Sequence, residues 1–228
     1  MSVCCGLLEW GHPSAQAVLP TLWVAHAWMV AGWGVVAGAA GLGLVRRLTQ
    51  RKWIHAVVPL CVLAWMVLPG KWGGGFWMGL AFQAPSVSLV LVCAVFWARQ
   101  LAPPRVVARL PVLQPRGPMA VGAIVCGWLL LLDTLGLLPG SLYALGFTSL
   151  APVLAVACIA CAWVIQGPKD VTDNVLIAMA SVFTHSLLRW PTGNLFDALF
   201  DPFLWIALHI QVYWRWKFGS RVSGKDST

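Results

Sequence analysis

Seven runs of apolar residues, with most charged side chains confined to the short stretches between them, restrict what this chain can fold into. The runs cover residues 18–45, 53–69, 83–98, 118–138, 149–166, 174–188 and 202–216. A helix needs about 20 apolar residues to cross a bilayer, and it satisfies its own backbone hydrogen bonds inside hydrocarbon. We therefore expect an all-α fold, a polytopic helical membrane bundle with about seven transmembrane helices.

The composition supports the same fold class, because 10% of the 228 residues are charged and 60% are hydrophobic. Soluble domains carry about 25% charged residues. We expect residues 1–228 to form a single membrane domain, with an external N-terminal tail at 1–17 and a cytoplasmic C-terminal tail at 217–228. The tail holds no Lys or Arg before residue 17, so the basic region of a cleavable signal peptide is missing and the first run is expected to be retained.

The positions of Lys and Arg predict the orientation, because these residues concentrate in cytoplasmic loops. If the N-terminus lies outside, thirteen of the fifteen basic residues lie on the inner side, and only Lys71 and Arg189 lie on the outer side. The thirteen are Arg46, Arg47, Arg51, Lys52, Arg99, Arg105, Arg109, Arg116, Lys169, Arg215, Lys217, Arg221 and Lys225. We expect a multi-pass protein of the bacterial inner membrane, N-terminus periplasmic and C-terminus cytoplasmic, since the loops are short and no organellar presequence is visible.

The three outer connections share a pattern of turn residues. The first two each begin with Leu-Pro-Gly, at 68–70 and 138–140, and then continue with Gly-x4-Ala-Pro, ending at Pro85 and Pro152. The third is looser and ends at Pro202. Proline is well placed at a helix start, where its missing N–H would be unpaired anyway. The pattern predicts one leading helix followed by three hairpins, with the glycine-rich stretch 71–82 forming an interfacial or re-entrant turn.

Small residues line one face of the first apolar run. Gly34, Gly38 and Gly41 continue a stripe that begins at Ala27 and Ala31. Small side chains allow two helices to approach closely in a membrane. This face is expected to pack against another helix, either of this chain or of another subunit.

Four His and Asp side chains fall inside the apolar runs in the outer half of the expected bundle, whereas His55 lies at the inner start of the second run. The four are His26, Asp133, His185 and His209. Ionisable groups are costly in hydrocarbon and therefore mark functional candidates. His26, His185 and His209 with Asp133 could bind a metal or haem or relay protons, whereas each residue alone fits a single hydrogen bond, with Asp133 capping the outer turn.

The last outer loop, 189–203, combines acidic, aromatic and polar residues. Its apolar residues repeat at helical spacing, which predicts a short amphipathic surface helix capped by Asn194. Arg189, Asp197 and Asp201 are candidate contacts for an external partner, and Arg189 could neutralise one of the two carboxylates. Simple anchoring at the interface is the alternative.

Few other features indicate chemistry. Cys158 and Cys161 lie one helical turn apart, which suits either copper and redox chemistry or close packing. The basic loop 99–117 is expected to contact anionic lipid headgroups. The basic residues form no face suited to nucleic acid, and no phosphate-binding loop, nucleophile elbow or His-Glu-x2-His motif occurs.

The sequence therefore leaves two classes of function open. The first is a non-enzymatic inner-membrane protein, either a small permease or an accessory or assembly subunit of a membrane complex, in contact with the lipid bilayer and with other membrane subunits or a second copy. The second is a membrane redox protein, or a metal-binding or haem-binding protein, that uses the four polar residues of the outer half.

Overall fold

The computed structural model describes residues 19–107 and 117–219, and every regular element in these two ranges is helical. The eleven α-helices are α1 (Leu22–Leu48), α2 (Lys52–Val67), α3 (Gly74–Phe82), α4 (Val87–Leu101), α5 (Pro104–Val107), α6 (Gly117–Thr134), α7 (Leu142–Leu145), α8 (Ala151–Gln166), α9 (Pro168–Leu188), α10 (Leu195–Leu199) and α11 (Pro202–Gly219). A 3₁₀ turn, Gly70–Trp72, precedes α3. The predicted all-α fold class is confirmed for the described residues.

Each of the seven apolar runs forms one of the longer helices. Among the described residues, α1 is long and apolar enough to cross a membrane. Five other apolar stretches are helical but shorter, 10–17 residues each: Trp53–Val67, Val87–Leu101, Met119–Thr134, Ala151–Ile165 and Asp173–Leu188. We call the end of the molecule that carries the connections 68–86, 135–150 and 189–201 its outer end.

Helix α1 packs against α2 and α4 through its glycine face. A Cβ atom at Gly34 would lie 2.4 Å from a methyl carbon of Leu63, and one at Gly38 would lie 2.2 Å from the ring of Trp97. Gly41 faces α2 as well. The neighbours of this face are therefore helices of the same chain, and any larger side chain at Gly38 would displace a tryptophan.

The glycine-rich stretch 71–82 forms a helix over most of its length, so the expectation of a turn is wrong there. Glycine destabilises an isolated helix, but here it allows close packing. Gly75 lies against Val30, and Gly79 lies so close to Met29 that a Cβ atom would be 2.4 Å from its sulfur. Contacts with α1 thus offset the low helix propensity of α3.

Three prolines stand at the outer starts of long helices, as their sequence positions predict. Pro85 immediately precedes Ser86, whose side chain caps α4 by accepting a hydrogen bond from the Leu89 amide. Pro152 lies in the first turn of α8, and Pro202 is the first residue of α11. At the opposite end, Gly167 has a φ of +80°, which allows α9 to begin directly after α8.

The second half of the molecule joins the first through α4 and α9. From α9 the contacts continue to α8, then to α6, and from α6 to α11. Trp205 of α11 forms the contact with α6. Its indole N–H donates to the carbonyl of Ile124 at 3.2 Å, and its ring packs against Gly127. A Cβ atom on Gly127 would lie 2.3 Å from the indole nitrogen.

The outer connections are hydrogen-bonded to one another. Asn194 is 0% exposed; its side-chain oxygen caps α10 by accepting from the Phe196 amide, and its side-chain nitrogen donates to the Tyr143 carbonyl. The backbone amide of Leu195 donates to the carbonyl of Gly146. The prediction of a short helix capped by Asn194 is confirmed, but Leu195 is buried, so α10 packs into the outer end of the bundle and does not lie on a surface.

Candidate functional site

A buried carboxylate lies where the outer ends of α4 and α11 meet. Asp201 is only 6% exposed, and each of its oxygens accepts a backbone hydrogen bond: Oδ1 from the Phe203 amide at 2.9 Å, and Oδ2 from the Ser86 amide at 3.2 Å. Helix N-termini carry unpaired amides and a partial positive charge. Two helix starts therefore stabilise one carboxylate and are held together by it.

Two serines extend this junction. The hydroxyl groups of Ser86 and Ser88 lie 3.1 Å apart, and Ser88 donates to the carbonyl of Leu199 at 2.7 Å. Leu199 is the last residue of α10, and Asp201 directly precedes α11. The start of α4 is therefore hydrogen-bonded at both ends of the segment between α10 and α11. In the sequence, the serine after Pro85 indicates a helix start at this position, since serine is a preferred cap residue.

Asp197 is the second carboxylate of the outer end, and it is half-buried. Its Oδ2 accepts hydrogen bonds from the hydroxyl of Tyr143 at 2.7 Å and from the hydroxyl of Thr192. Burial, followed by the interaction with Asp197, raises the pKa of Tyr143, so the phenol remains a donor. Within the described part of the chain, Oδ1 of Asp197 has neither a hydrogen-bond donor nor a basic partner.

Three cavities border the segment between α10 and α11: an outer cavity, an inner cavity, and a third of about 300 Å³ between α6, α7, α10 and α11. The outer cavity measures about 400 Å³ and the inner cavity about 310 Å³, and Phe200 and Asp201 line both. The polar residues of the outer cavity include Gln83, Tyr143, Thr192 and Asp197, and its aromatic residues are Trp33, Phe82, Phe200 and Phe203, with Tyr143 again. The inner cavity lies between α4, α6, α9 and α11; it is mainly apolar, with Ser88 near its outer end and Asn174 and Gln211 further in.

The outer cavity owes its shape to an ordered group of aromatic side chains. Trp33 is buried, and its indole N–H donates to the carbonyl of Gln83 at 2.7 Å. Its ring contacts Phe82 and Phe203, each at a centroid distance of 5.8 Å, and Phe82 and Phe203 contact each other at 5.1 Å. Aromatic pairs in such tilted or edge-on arrangements are favourable, so this wall is formed without a ligand.

The four polar residues expected inside the bundle are held separately. His26 is exposed on α1, and Asp133 accepts a hydrogen bond from the Tyr143 amide at 2.6 Å, across the outer turn. His185 is 0% exposed, with Nδ1 donating to the Trp190 carbonyl at 3.1 Å. His209 donates to the carbonyl of Trp205, one turn earlier on the same helix, at 2.8 Å. Asp133, His185 and His209 thus each form a local hydrogen bond.

The predicted metal set is not assembled. Over residues 19–107 and 117–219, no group of three His, Cys, Asp or Glu residues is placed to hold a metal ion. His26, His185 and His209 all lie in these ranges, so the structure does not bring them together as ligands. The three histidines lie on α1, α9 and α11, and the rings of His185 and His209 are each held by a backbone carbonyl close by in the chain.

The three candidate partner contacts of the last outer loop have different environments. Asp201 is buried and accepts a backbone hydrogen bond on each oxygen, and its contact with an external partner stays a prediction. Asp197 lines the outer cavity. Arg189 ends α9 in a left-handed conformation, with φ of +56°, and among the described residues it forms no ion pair with either carboxylate.

The thiols and the chain ends add little to the site. Cys158 and Cys161 are both exposed on α8 and unpaired. Several expectations fall outside the described residues: the tail 1–17, residues 108–116 of the basic loop, and residues 220–228 of the C-terminal tail.

The described residues thus form an all-helical fold with one helix long and apolar enough to cross a membrane and with three adjoining cavities at and below its outer end. No family model, curated protein or solved structure matches it. Any function must therefore be argued from the geometry of the cavities.

Proposed function

We propose that this chain is a multi-pass protein of a bacterial inner membrane and acts as a small-molecule permease without enzymatic activity. The observation that carries the proposal is the contact of the outer and inner cavities at Phe200 and Asp201. Small-molecule sites are typically concave, about 300–1,000 Å³, mostly apolar, with few polar groups. Both cavities fall in this volume range; the inner cavity is mainly apolar, whereas the outer cavity is lined by both polar and aromatic side chains.

The lipid-facing surface of the proposed bundle is supported by exposed aliphatic side chains. Leu154, Val164 and Ile165 on α8, and Ile206 and Ile210 on α11, are each more than half exposed. Many large apolar side chains exposed together are unusual on soluble monomers and expected against lipid. In this proposal all seven long helices span the bilayer, the shorter ones with help from interfacial tryptophans, and the charge distribution places the N-terminus outside.

A route through the bundle would run from the outer cavity, past Phe200, into the inner cavity. The outer cavity offers carboxylate and hydroxyl groups to a solute arriving from water. The inner cavity offers Asn174 and Gln211 among apolar residues contributed by four helices. Phe200 and Asp201 separate the two, so a rearrangement at the short segment between α10 and α11 would connect them.

Transport by purified protein in liposomes tests the proposal. Light scattering would follow osmotic uptake of glycerol, alanine, glucose and choline, with protein-free liposomes as background. Ala178 lines the inner cavity, so Ala178→Trp should abolish uptake by filling it. Ala160 lies exposed on α8 outside the cavities, and Ala160→Trp is the matched control. Uptake of every solute at the background rate, or equal uptake by both variants, would contradict a permease.

The accessory-subunit and metal or haem hypotheses stay predictions with their own tests. A fixed stoichiometric partner in gently solubilised membranes, together with inactive liposomes, would favour an accessory or assembly role. Bound metal or a Soret absorption band in the purified protein would favour a redox role. Reporter fusions at both termini would test the N-out, C-in orientation.

A further inference from the structure

We propose that the outer cavity binds a small organic cation carrying an ammonium group, an inference that rests on the proposed permease function and names its substrate class. The cavity combines an acidic wall, which forms no ion pair with a Lys or Arg of the described residues, with an aromatic wall.

The acidic wall is supplied by Asp197. Both hydrogen bonds to this side chain fall on Oδ2, from Tyr143 and Thr192, so Oδ1 has spare acceptor capacity. Over the described residues, no Lys or Arg forms an ion pair with Asp197. A half-buried carboxylate without a counter-charge favours a cation in the adjacent space. Asp201 also lines this cavity and makes its electrostatic potential more negative, although two helix starts already stabilise its charge.

The aromatic wall is supplied by Phe82 and Phe203, with Trp33 behind them. Trp33 is fully buried and bonded to the Gln83 carbonyl, and its contacts with both phenylalanines fix their positions. Phe82 and Phe203 are each about half exposed, so they have free surface beside the cavity. Ring faces attract ammonium groups, and this is the basis of quaternary ammonium recognition.

The combination selects an organic cation over a metal ion. Metal ions require several ligating groups at short distance, and the described residues hold no group of three such side chains. An alkylammonium needs only one carboxylate together with apolar and aromatic surface. A volume of about 400 Å³ accommodates a compact molecule of this class.

Binding of radiolabelled choline to the full chain in nanodiscs tests the inference. The competing ligand is 3,3-dimethylbutan-1-ol, which has the shape of choline but no charge. We expect saturable choline binding that the neutral analogue does not displace at tenfold higher concentration. Displacement by the neutral analogue at equal concentration, or no choline binding, would overturn the inference.

Three variants locate the site. Asp197→Asn should weaken choline binding about tenfold or more, because a charge-assisted contact is lost. Phe82→Leu, which keeps apolar bulk but removes the ring, should weaken it about two- to fivefold. Asp133→Asn removes the same charge from a carboxylate outside the cavity and should change binding less than twofold. Unchanged binding in Asp197→Asn, or equal loss in Asp133→Asn, at an unchanged unfolding temperature, would reject the assignment.

The liposome assay separates this inference from the function on which it rests. Uptake of neutral solutes without choline binding would support the permease function and contradict an organic cation as its substrate. Choline binding without uptake of any solute would support the binding site and contradict the permease function.

Discussion

The carboxylate of Asp201 accepts a hydrogen bond from the backbone amide of Ser86, which lies 115 positions earlier in the chain. The bond joins the residue before α11 to the residue before α4, and Asp201 lines both the outer and the inner cavity. The same carboxylate accepts from the amide of Phe203. One side chain therefore holds the two halves of the molecule together beside the proposed route.

Removing the charge of Asp201 should destabilise the fold. Hydrogen bonds to a charged group contribute about 1.5–3 kcal/mol. Without the negative charge of Asp201, the amides of Ser86 and Phe203 would have weaker acceptors in a buried position. We expect Asp201→Asn to lower the free energy of unfolding by about 2 kcal/mol, measured by denaturant titration in detergent micelles. Asp197→Asn is the control, because hydroxyl donors can reorient toward an amide. Equal losses in the two variants would contradict the role given to the helix starts.

Gly38 should be far less tolerant of substitution than a glycine one and a half turns away on the same helix. A Cβ atom at Gly38 would lie 2.2 Å from the ring of Trp97, whereas one at Gly43 would have its nearest neighbour, Phe96, at 4.0 Å. Overpacking costs about 1–3 kcal/mol. Gly38→Ala should therefore lower the thermal unfolding midpoint, and Gly43→Ala should hold or raise it, since alanine favours helix. Recovery of Gly38→Ala by Trp97→Leu would confirm the contact.

The positions of the helices could be predicted from the sequence because the apolar runs are long and their ends carry Pro, Gly or charge. Asn194 as a cap was predictable for the same reason, since its side chain acts on an amide two residues away. The failure at 71–82 is also physical. Glycine there signals low intrinsic helix propensity, and only the contacts of Gly75 and Gly79 with α1, which are not visible in a local pattern, reverse that signal.

The site could be predicted only in part, because its parts come from distant segments. The sequence places the ionisable residues at the outer half, but it does not give the order in which helices pack. That order decides that Asp201 meets Ser86 and that His185 and His209 lie apart. Tyr143 and Gln83 carried no signal, since a tyrosine and a glutamine near a turn are ordinary interface residues.

Two substitutions should separate the two structural roles of Asn194. Its oxygen caps α10, and its nitrogen donates to the Tyr143 carbonyl from a fully buried position. Asn194→Ser keeps a capping oxygen and loses the donor; Asn194→Ala loses both. We expect losses of about 1–2 and about 2–4 kcal/mol in unfolding free energy, since each unmade buried bond costs about 1–3 kcal/mol. Urea unfolding in micelles would measure them, and a larger loss for the serine variant would contradict this assignment of the bonds.

The contact of Trp205 with Gly127 gives the clearest test of how α11 is seated against α6. The indole ring occupies the space that a side chain would need, because a Cβ atom at Gly127 would lie 2.3 Å from the indole nitrogen. The same nitrogen donates to the Ile124 carbonyl, so moving the ring also breaks a hydrogen bond.

Gly127→Ala should therefore cost about 2–4 kcal/mol, the sum of an overpacking cost and a lost hydrogen bond. Gly122 lies on the same helix with nothing within 4 Å of its Cβ position, so Gly122→Ala is the matched control and should be neutral or stabilising. Thermal unfolding in nanodiscs would compare them. Because Trp205 lines the inner cavity, Gly127→Ala should also slow solute uptake in the liposome assay while Gly122→Ala does not. Equal unfolding midpoints for the two alanine variants would show that Trp205 does not seat α11 on α6 as described.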